Sequence, residues 1–219
     1  MIFVNFKTFE GGTGTRALSL IKIIEDVAET SGIKIIPVVQ ASDVKEAVTS
    51  SKLEIWTQNI DPVTYGAHTG SILPEAVYED GASGTFLNHS EAKVGEFEML
   101  KSSVRRASEV GLKTLVFASD ARELAQVVSL KPTFASYEPP ELIGSRETSV
   151  AQAHPDIISE AAEICKSASV PLIVGAGVHS RDDVKKSLEL GAVGVALATD
   201  VVAATDPRAE LLDLVEGFK

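Results

Sequence analysis

The sequence predicts an α/β fold, a (β/α)8 barrel in which eight parallel strands close on themselves. Short β-rich runs alternate with segments of helical spacing along the whole chain, and this alternation is typical of parallel sheets. Eight such units share 219 residues, which is near the short end of the range for a closed barrel. No linker or low-complexity tract interrupts the pattern, so we expect residues 1–219 to form a single barrel domain.

Strands are expected wherever a short run rich in β-branched and apolar residues lies between turn signals. The sixth run stops just before Pro139 and Pro140, two consecutive prolines that cannot continue a sheet. The eight runs are residues 2–6, 33–38, 53–58, 84–87, 114–117, 133–137, 172–174 and 193–196.

Helices are expected between the strands because apolar residues recur there at intervals of three or four. Ser180 and Asp183 have the spacing of a capping box, and Ser42 and Ser119 precede two further helices. A glycine directly before the next strand marks the end of three helices. These glycines are Gly32, Gly111 and Gly191, and the periodic positions include Ile21, Ile24, Val27, Val104, Ala107, Leu124, Val127, Ile157, Ala161, Ile164, Val184 and Leu188.

An open, doubly wound parallel sheet is the alternative fold. Such a sheet usually has five or six strands and carries a glycine-rich phosphate turn directly after the first strand. Here the segment 7–10 follows the first strand, and the glycines at positions 11, 12 and 14 come later. The closed barrel is therefore the favoured interpretation.

The composition excludes several classes of function. The net charge is −11 and the pI is about 4.8, which argues against non-specific binding to nucleic acid or to an anionic membrane. No apolar stretch reaches the roughly 18 residues of a membrane span, and the N-terminus lacks the pattern of a signal peptide. A single cysteine, Cys165, fits a reducing compartment, so we expect a cytoplasmic protein.

The sixth strand places a carboxylate, Glu138, where the active face of a barrel lies, just beyond the C-terminal ends of the strands. Two prolines and Gly144 give the segment 139–144 the layout of a stiff flap with a hinge at each end. A lid that excludes water and a carboxylate that acts as a base belong together in proton-transfer chemistry. An ordinary strand-to-helix loop with a surface glutamate is the alternative.

The ends of the first and fourth strands supply a cation and an imidazole. Asn5 and Lys7 could face one oxygen and stabilise charge that develops on a carbonyl, although a solvated surface lysine is the alternative. His89 precedes Ser90 and Glu91, which look like a helix start, and a helix N-terminus would hold the imidazole neutral. The alternative for His89 is a capping or core histidine.

Small residues follow the seventh and eighth strands. Gly175 and Gly177 allow close backbone approach, and Ala198 and Thr199 follow the eighth strand. Loops at these two positions often bind phosphate through backbone N–H groups in this fold, although a tight turn that merely requires glycine is the alternative. The histidines to which the pattern assigns no chemistry are His68, His154 and His179.

Together these residues favour removal of a proton α to the carbonyl of a small phosphorylated substrate, through an enediolate that a lid would shield from water. A Schiff-base aldolase would need a lysine that faces the barrel interior, whereas Lys34 begins its strand and Lys113 precedes its own. A binding or scaffold protein that had lost catalysis would be expected to lack Glu138, His89 or Lys7. No His/Asp/Glu cluster has the spacing of metal ligands, so no metal is expected.

The motifs resemble those of the triosephosphate isomerase family, in order and over the whole chain. The residues that carry the resemblance are Asn5 with Lys7, the run Asn88, His89, Ser90 and Glu91, and Tyr137, Glu138 and Pro139 followed by the flap. The resemblance implies a TIM barrel that interconverts dihydroxyacetone phosphate and D-glyceraldehyde 3-phosphate, in glycolysis and gluconeogenesis, without a cofactor.

The resemblance also implies a role for each residue of the site. Glu138 would be the catalytic base, His89 the electrophile and Lys7 a catalytic and substrate-binding cation. Glu91 would support the site. The other substrate-binding residues would be Asn5, Ile143, Gly144, Gly177, Ala198 and Thr199, with the phosphate held chiefly through backbone N–H groups.

Assembly is a further implication of the resemblance. The loop 65–70 resembles the family's protruding loop, in which Thr69 would approach a neighbouring subunit of a homo-oligomer. The chain departs from the family pattern in its short length, in a flap that reads Pro-Pro-Glu-Leu-Ile-Gly where Pro-Val-Trp-Ala-Ile-Gly is common, and in Ala198 and Thr199 where a Gly-Gly pair is usual. These departures are similar to the short archaeal branch, so a tetramer is favoured and a dimer is the alternative.

Overall fold

The computed structural model describes residues 1–138 and 155–219. Its eight parallel strands form a closed barrel in sequence order, as the alternation of elements predicts. β1 and β8 close the barrel, with Ile2 paired to Val195 and Val4 paired to Leu197, so the open-sheet alternative is wrong. The strands are β1 (Ile2–Asn5), β2 (Ile35–Val39), β3 (Trp56–Thr57), β4 (Gly84–Leu87), β5 (Lys113–Ala118), β6 (Phe134–Tyr137), β7 (Leu172–Val174) and β8 (Gly194–Leu197).

The predicted strand ends agree with the structure except for shifts of one or two residues, and the third strand departs further. The sequence predicts a strand over residues 53–58, whereas only Trp56 and Thr57 form one. The carboxylate of Glu54 accepts hydrogen bonds from Trp56 Nε1 and from Lys113 Nζ, each at 2.9 Å. These side-chain contacts hold the chain before Trp56. A longer strand would instead have formed backbone hydrogen bonds with its neighbours there.

Helices cover the outside of the barrel. Three of them, the third, eighth and ninth along the chain, lie outside the segments in which the sequence predicts helices. The described helices are α1 (Gly14–Ser31), α2 (Val44–Ser50), α3 (Pro74–Glu79), α4 (Phe97–Val110), α5 (Ala121–Ser129), α6 (Pro155–Ala168), α7 (Arg181–Glu189), α8 (Thr199–Val202) and α9 (Pro207–Glu216). In the part of the chain that the structure describes, no helix is both long and apolar enough to cross a membrane.

Helix caps follow the sequence in part. The Ser180 side chain accepts a hydrogen bond from the Asp183 N–H, as the capping-box spacing predicts. At α5 the cap is Asp120, which accepts from the Glu123 N–H, so the assignment of Ser119 is wrong by one position. Aspartate and serine are both short acceptors that reach this N–H, and spacing alone does not choose between neighbours.

Side chains fill the barrel interior, so it is a packed core and not a pore. Phe3, Trp56, Phe86 and Phe117 are buried there, and the rings of Phe3 and Trp56 meet edge to face with centroids 5.0 Å apart. A second apolar layer, between strands and helices, includes Cys165. Burial raises the pKa of the Cys165 thiol to about 11, so the thiol stays protonated at neutral pH. Space for a small molecule is left at the end of the barrel, beyond the aromatic layer.

Candidate active site

A pocket opens at the C-terminal end of the barrel, against the rings of Phe86 and Phe117. Its wall is built from the ends of β1, β4, β6, β7 and β8. The structure brings together the predicted site residues that it describes, which are Asn5, Lys7, His89, Glu91, Glu138, Gly177, Ala198 and Thr199. Ile143, Gly144 and the rest of the predicted flap lie outside the described residues.

Lys7 stands at the mouth of the pocket in a strained backbone conformation. Its φ is 45°, in the left-handed region that non-glycine residues seldom occupy. Two side chains hold it there: the Lys7 N–H donates to Asn5 Oδ1 at 3.0 Å, and Gln58 Nε2 donates to the Lys7 carbonyl at 2.8 Å. The ammonium reaches Glu91, with Nζ 2.8 Å from Oε1. Asn5 and Gln58 therefore fix the direction in which the cation points.

His89 is held as a neutral imidazole. The Glu91 N–H donates to His89 Nδ1 at 3.2 Å, so the ring proton belongs on Nε2. Burial lowers the pKa of His89 to about 4, Lys7 and Lys93 act in the same direction, and Glu91 opposes them. Neutrality agrees with the sequence prediction, but its expected cause was wrong. Ser90 and Glu91 form a turn, and the next helix begins only at Phe97.

Glu138 faces His89 from the end of β6. The residue is 5% exposed, and Oε1 lies 3.8 Å from His89 Nε2. Burial is the main cause that raises the pKa of Glu138, to about 8; Lys7 and Lys93 oppose it, and Glu91 acts in the same direction as burial. A carboxylate in such a site is a stronger base than one in water.

The turn that carries His89 is anchored by a network that the sequence interpretation missed. Asn88 is buried and has φ 59°; its Nδ2 donates to the Phe117 carbonyl at 2.9 Å and to Glu123 Oε1 at 2.7 Å. Its Oδ1 accepts from the Val94 N–H at 3.1 Å. Asn88 thereby ties both ends of the turn to β5 and α5.

Glu123 is the charged centre of that network. Burial works to raise its pKa, but hydrogen bonds from Lys93, Ser119 and Asn88 outweigh burial and lower the pKa to about 2. Lys93 Nζ contacts both carboxylate oxygens, at 2.8 and 2.9 Å. The carboxylate therefore stays ionised and keeps three parts of the chain together behind His89.

His179 and Asp200 are two further residues of the pocket wall. His179 Nδ1 lies 3.0 Å from Asp200 Oδ2, which joins the loop after β7 to the start of α8. The sequence interpretation assigned His179 no chemistry and did not consider Asp200. The available signal was position, because His179 follows Gly177 by two residues and Asp200 follows Thr199 directly.

Comparison with known proteins gives the same interpretation as the geometry. The profile of the triosephosphate isomerase family matches residues 1–217. This chain belongs to the triosephosphate isomerase family. A triosephosphate isomerase of Methanobacterium bryantii is 39% identical over 217 residues, which are 98% of this chain and 95% of that protein. One of Metallosphaera sedula is 39% identical over 218 residues, which are 99% of this chain and 95% of that protein.

A solved structure agrees with the fold. The triosephosphate isomerase of Bartonella henselae superposes with a TM-score of 0.74 at 18% identity, over 98% of this chain and 95% of that chain. At that identity the likeness concerns the barrel alone, and it confirms the predicted TIM barrel.

Membership in the triosephosphate isomerase family establishes the reaction. The enzyme is an isomerase that interconverts dihydroxyacetone phosphate and D-glyceraldehyde 3-phosphate, a step of glycolysis. Its substrates are triose phosphates. Relatives such as those above are almost equally short, because the chain covers 95% of their length.

Proposed function

We propose that Glu138 is the catalytic base of this isomerisation and His89 the electrophile. The observation that carries the proposal is the approach of Glu138 Oε1 to within 3.8 Å of His89 Nε2 in the pocket wall. A substrate bound beside both would have a carbon-bound proton next to a carboxylate and its carbonyl oxygen next to an N–H donor. Both side chains are largely shielded from water, which strengthens each of these interactions.

The proposed reaction consists of proton transfers that balance. Glu138 removes a proton from the carbon next to the carbonyl of dihydroxyacetone phosphate, and the C–H electron pair forms the double bond of an enediolate. His89 donates its Nε2 proton to the former carbonyl oxygen and takes the proton of the neighbouring hydroxyl. Glu138 then returns its proton to the second carbon, and the product is D-glyceraldehyde 3-phosphate.

Lys7 is proposed as the cation that stabilises negative charge on the substrate. The ammonium pairs with Glu91, and Asn5 keeps the Lys7 backbone in its left-handed conformation. We therefore expect Lys7→Ala to raise KM and lower kcat together, because the charge acts on both bound substrate and transition state.

The phosphate is proposed to bind at the loops after β7 and β8. Gly177, Ala198 and Thr199 line that side of the pocket, and backbone N–H groups at such loops suit a phosphate. Ile143 and Gly144 of the predicted flap would complete the contacts, and both lie outside the described residues. In this role the flap would exclude water from the enediolate.

The two proposed roles can be separated by following exchange and isomerisation in D2O. NMR measures deuterium incorporation into dihydroxyacetone phosphate, which reports proton removal alone, beside formation of the aldose. Glu138→Gln should lose both by roughly a thousandfold or more, since the base is gone. His89→Gln should lose isomerisation more than exchange, because proton removal survives but transfer between the two oxygens does not.

A matched control is Glu163→Gln, which removes an exposed carboxylate on α6. It should leave both rates unchanged. If Glu138→Gln retained exchange at the rate of this control, the base would have to be another residue. If His89→Gln lowered exchange and isomerisation equally, the imidazole would not carry the proton between oxygens.

Assembly, location and domain organisation complete the proposal. We propose a homo-oligomer, with a tetramer favoured over a dimer and with the Thr69 loop at an interface. The loop supports this, since residues 64–71 are exposed and Tyr65 is 67% exposed, more than is usual for an aromatic side chain. Sedimentation of the wild type and of Thr69→Arg tests it, because a bulky charge should dissociate that interface.

We also propose a single domain over residues 1–219 and action in the cytoplasm, in gluconeogenesis as well as glycolysis.

A further inference from the structure

The pocket carries an acidic residue on the side where the substrate phosphate is proposed to bind. Asp200 lines the pocket beside Ala198 and Thr199, and its side chain is 34% exposed. A carboxylate next to a phosphate dianion is repulsive. The overall charge of −11 adds to the repulsion. Binding of the phosphate therefore requires that the charge of Asp200 be offset locally.

Lysine and arginine do not provide that offset among the described residues. Lys7 is the one such residue in the described pocket wall, and its ammonium is paired with Glu91. His89 is neutral because its pKa lies at about 4. The group beside Asp200 is His179, whose Nδ1 is 3.0 Å from Asp200 Oδ2.

The backbone of His179 is held firmly in place. Its N–H donates to Asp183 Oδ2 at 3.1 Å, and the Ser180 hydroxyl donates to the same oxygen at 2.9 Å. Asp183 is 2% exposed, so this carboxylate is an internal brace of the turn after β7. Gly177, two residues earlier, also lines the pocket and has φ 61°, in the left-handed region that favours glycine. The hydrogen bonds to Asp183 therefore fix the backbone from which the His179 imidazole extends at the pocket wall.

We propose that His179 is a phosphate-binding residue of this enzyme and that Asp200 is its positioning partner. The carboxylate accepts the Nδ1–H of His179 and orients the ring, so that the Nε2–H donates to a phosphate oxygen of the substrate. In this arrangement Asp200 contacts one ring nitrogen of His179 at 3.0 Å, and the phosphate would contact the other from the pocket. This inference rests on the proposed position of the phosphate at Gly177, Ala198 and Thr199.

If Asp200 acts through His179, the effect of Asp200→Ala on phosphate binding should change sign when His179 is removed. The probe is inorganic phosphate as a competitive inhibitor, together with KM for D-glyceraldehyde 3-phosphate. His179→Ala should raise the inhibition constant roughly tenfold, as expected for loss of a charge-assisted hydrogen bond. Asp200→Ala alone should also raise it, because the ring loses its orientation. In the His179→Ala background, Asp200→Ala should lower it, because only repulsion remains.

A second readout separates binding from a general structural effect. D-Glyceraldehyde has no phosphate, and NMR can follow its deuterium exchange in D2O. His179→Ala should change that rate far less than it raises KM for the phosphorylated substrate. Asp182→Asn is the control, since it removes an exposed negative charge on α7 close to the brace. It should change neither quantity, and circular dichroism verifies that each variant is folded.

Three results would overturn the inference. One is an unchanged phosphate inhibition constant in His179→Ala. Another is tighter phosphate binding in Asp200→Ala with His179 present. The third is an equal loss with D-glyceraldehyde and with the phosphorylated substrate. Each of these leaves the proposed roles of Glu138 and His89 standing, because those are tested separately by exchange and isomerisation in Glu138→Gln and His89→Gln.

Discussion

Glu138 and His89 are two titratable groups whose pKa values are shifted in opposite directions by the same burial. The pKa of Glu138 is raised to about 8 and that of His89 is lowered to about 4. At neutral pH both groups are therefore mostly uncharged, and their 3.8 Å contact is not an ion pair. Burial makes the ionised form of Glu138 a strong base. It also means that Glu138 must lose its own proton before it can remove one from the substrate.

The raised pKa of Glu138 has a consequence for stability. The folded state holds this proton up to about pH 8, whereas the unfolded chain releases it near pH 4.5, so stability falls as the pH rises through this window. His89 acts in the opposite sense, but only between about pH 6.5 and 4. We expect Glu138→Gln to gain roughly 2 kcal/mol over the wild type between pH 6.5 and 8, because 1.5 pH units correspond to about that free energy. Urea unfolding at both pH values measures it.

The control for that experiment is Glu163→Gln, whose carboxylate is exposed. Its free energy of unfolding should differ from the wild type by the same amount at both pH values. All proteins are compared at one concentration, since assembly affects apparent stability. A gap between Glu138→Gln and wild type that does not widen from pH 6.5 to 8 would show that Glu138 is not protonated in the folded state.

Shortening the base tests its position and not its chemistry. Glu138→Asp keeps a carboxylate but withdraws it by one methylene, so proton transfer must cross a longer gap. We expect kcat to fall roughly a hundredfold or more while KM changes little, because the contact is made in the transition state. Steady-state kinetics in both directions measures this, and an unchanged kcat would remove Glu138 from the reaction.

At the scale of elements, the end of β7 leaves room for the base. A Cβ on Gly175 would lie 2.8 Å from both Cγ and Oε1 of Glu138 and 2.5 Å from Ser136 Oγ, which is closer than packed atoms allow. We expect Gly175→Ala to displace Glu138 and to lower kcat roughly tenfold to a hundredfold. In the Glu138→Gln background the same change should have little further effect on residual activity. Fully additive losses would mean that the glycine acts elsewhere.

The turn after β4 is the second element with a measurable role. Asn88→Ala removes three hydrogen bonds and leaves a Cβ at φ 59°. We expect a loss of roughly 2 kcal/mol in stability and a lower kcat, because His89 loses its anchor. Asn88→Gly removes the same bonds without backbone strain and should be roughly 1 kcal/mol more stable than the alanine variant. If both variants kept wild-type kcat, the network would serve stability alone.

Sequence patterns predicted the elements best where burial is extensive. Short apolar runs located the eight strands, which are buried on both faces, and apolar periodicity located the helices that bury one face against them. The pattern failed at Ser90 and Glu91, where polar residues typical of a helix start form a turn stabilised by Asn88 and Glu123. That network joins residues 35 positions apart, and no local signal reveals such a contact. His179 and Asp200 were missed although their positions just beyond Gly177 and Thr199 were a usable signal.

At the scale of the whole molecule, barrel closure explains why residues far apart in the sequence could be predicted to line one pocket. Once eight parallel strands close, their C-terminal ends converge on one face, and the residues that follow β1, β4, β6, β7 and β8 must meet. The order of the motifs was therefore enough to predict that Lys7, His89 and Glu138 lie in one pocket. What closure cannot determine is charge. The pKa values of His89 and Glu138 depend on how deeply each side chain is buried, which sequence spacing does not show.

The measurement that most directly tests the central claim is a coupled assay of triose phosphate interconversion on wild type and Glu138→Gln, purified and verified as folded in parallel. We expect fast turnover by the wild type in both directions and a loss of roughly a thousandfold or more in the variant. Equal turnover by the two proteins would contradict the assignment of Glu138 as the base. No turnover by a folded, assembled wild type would contradict the activity itself.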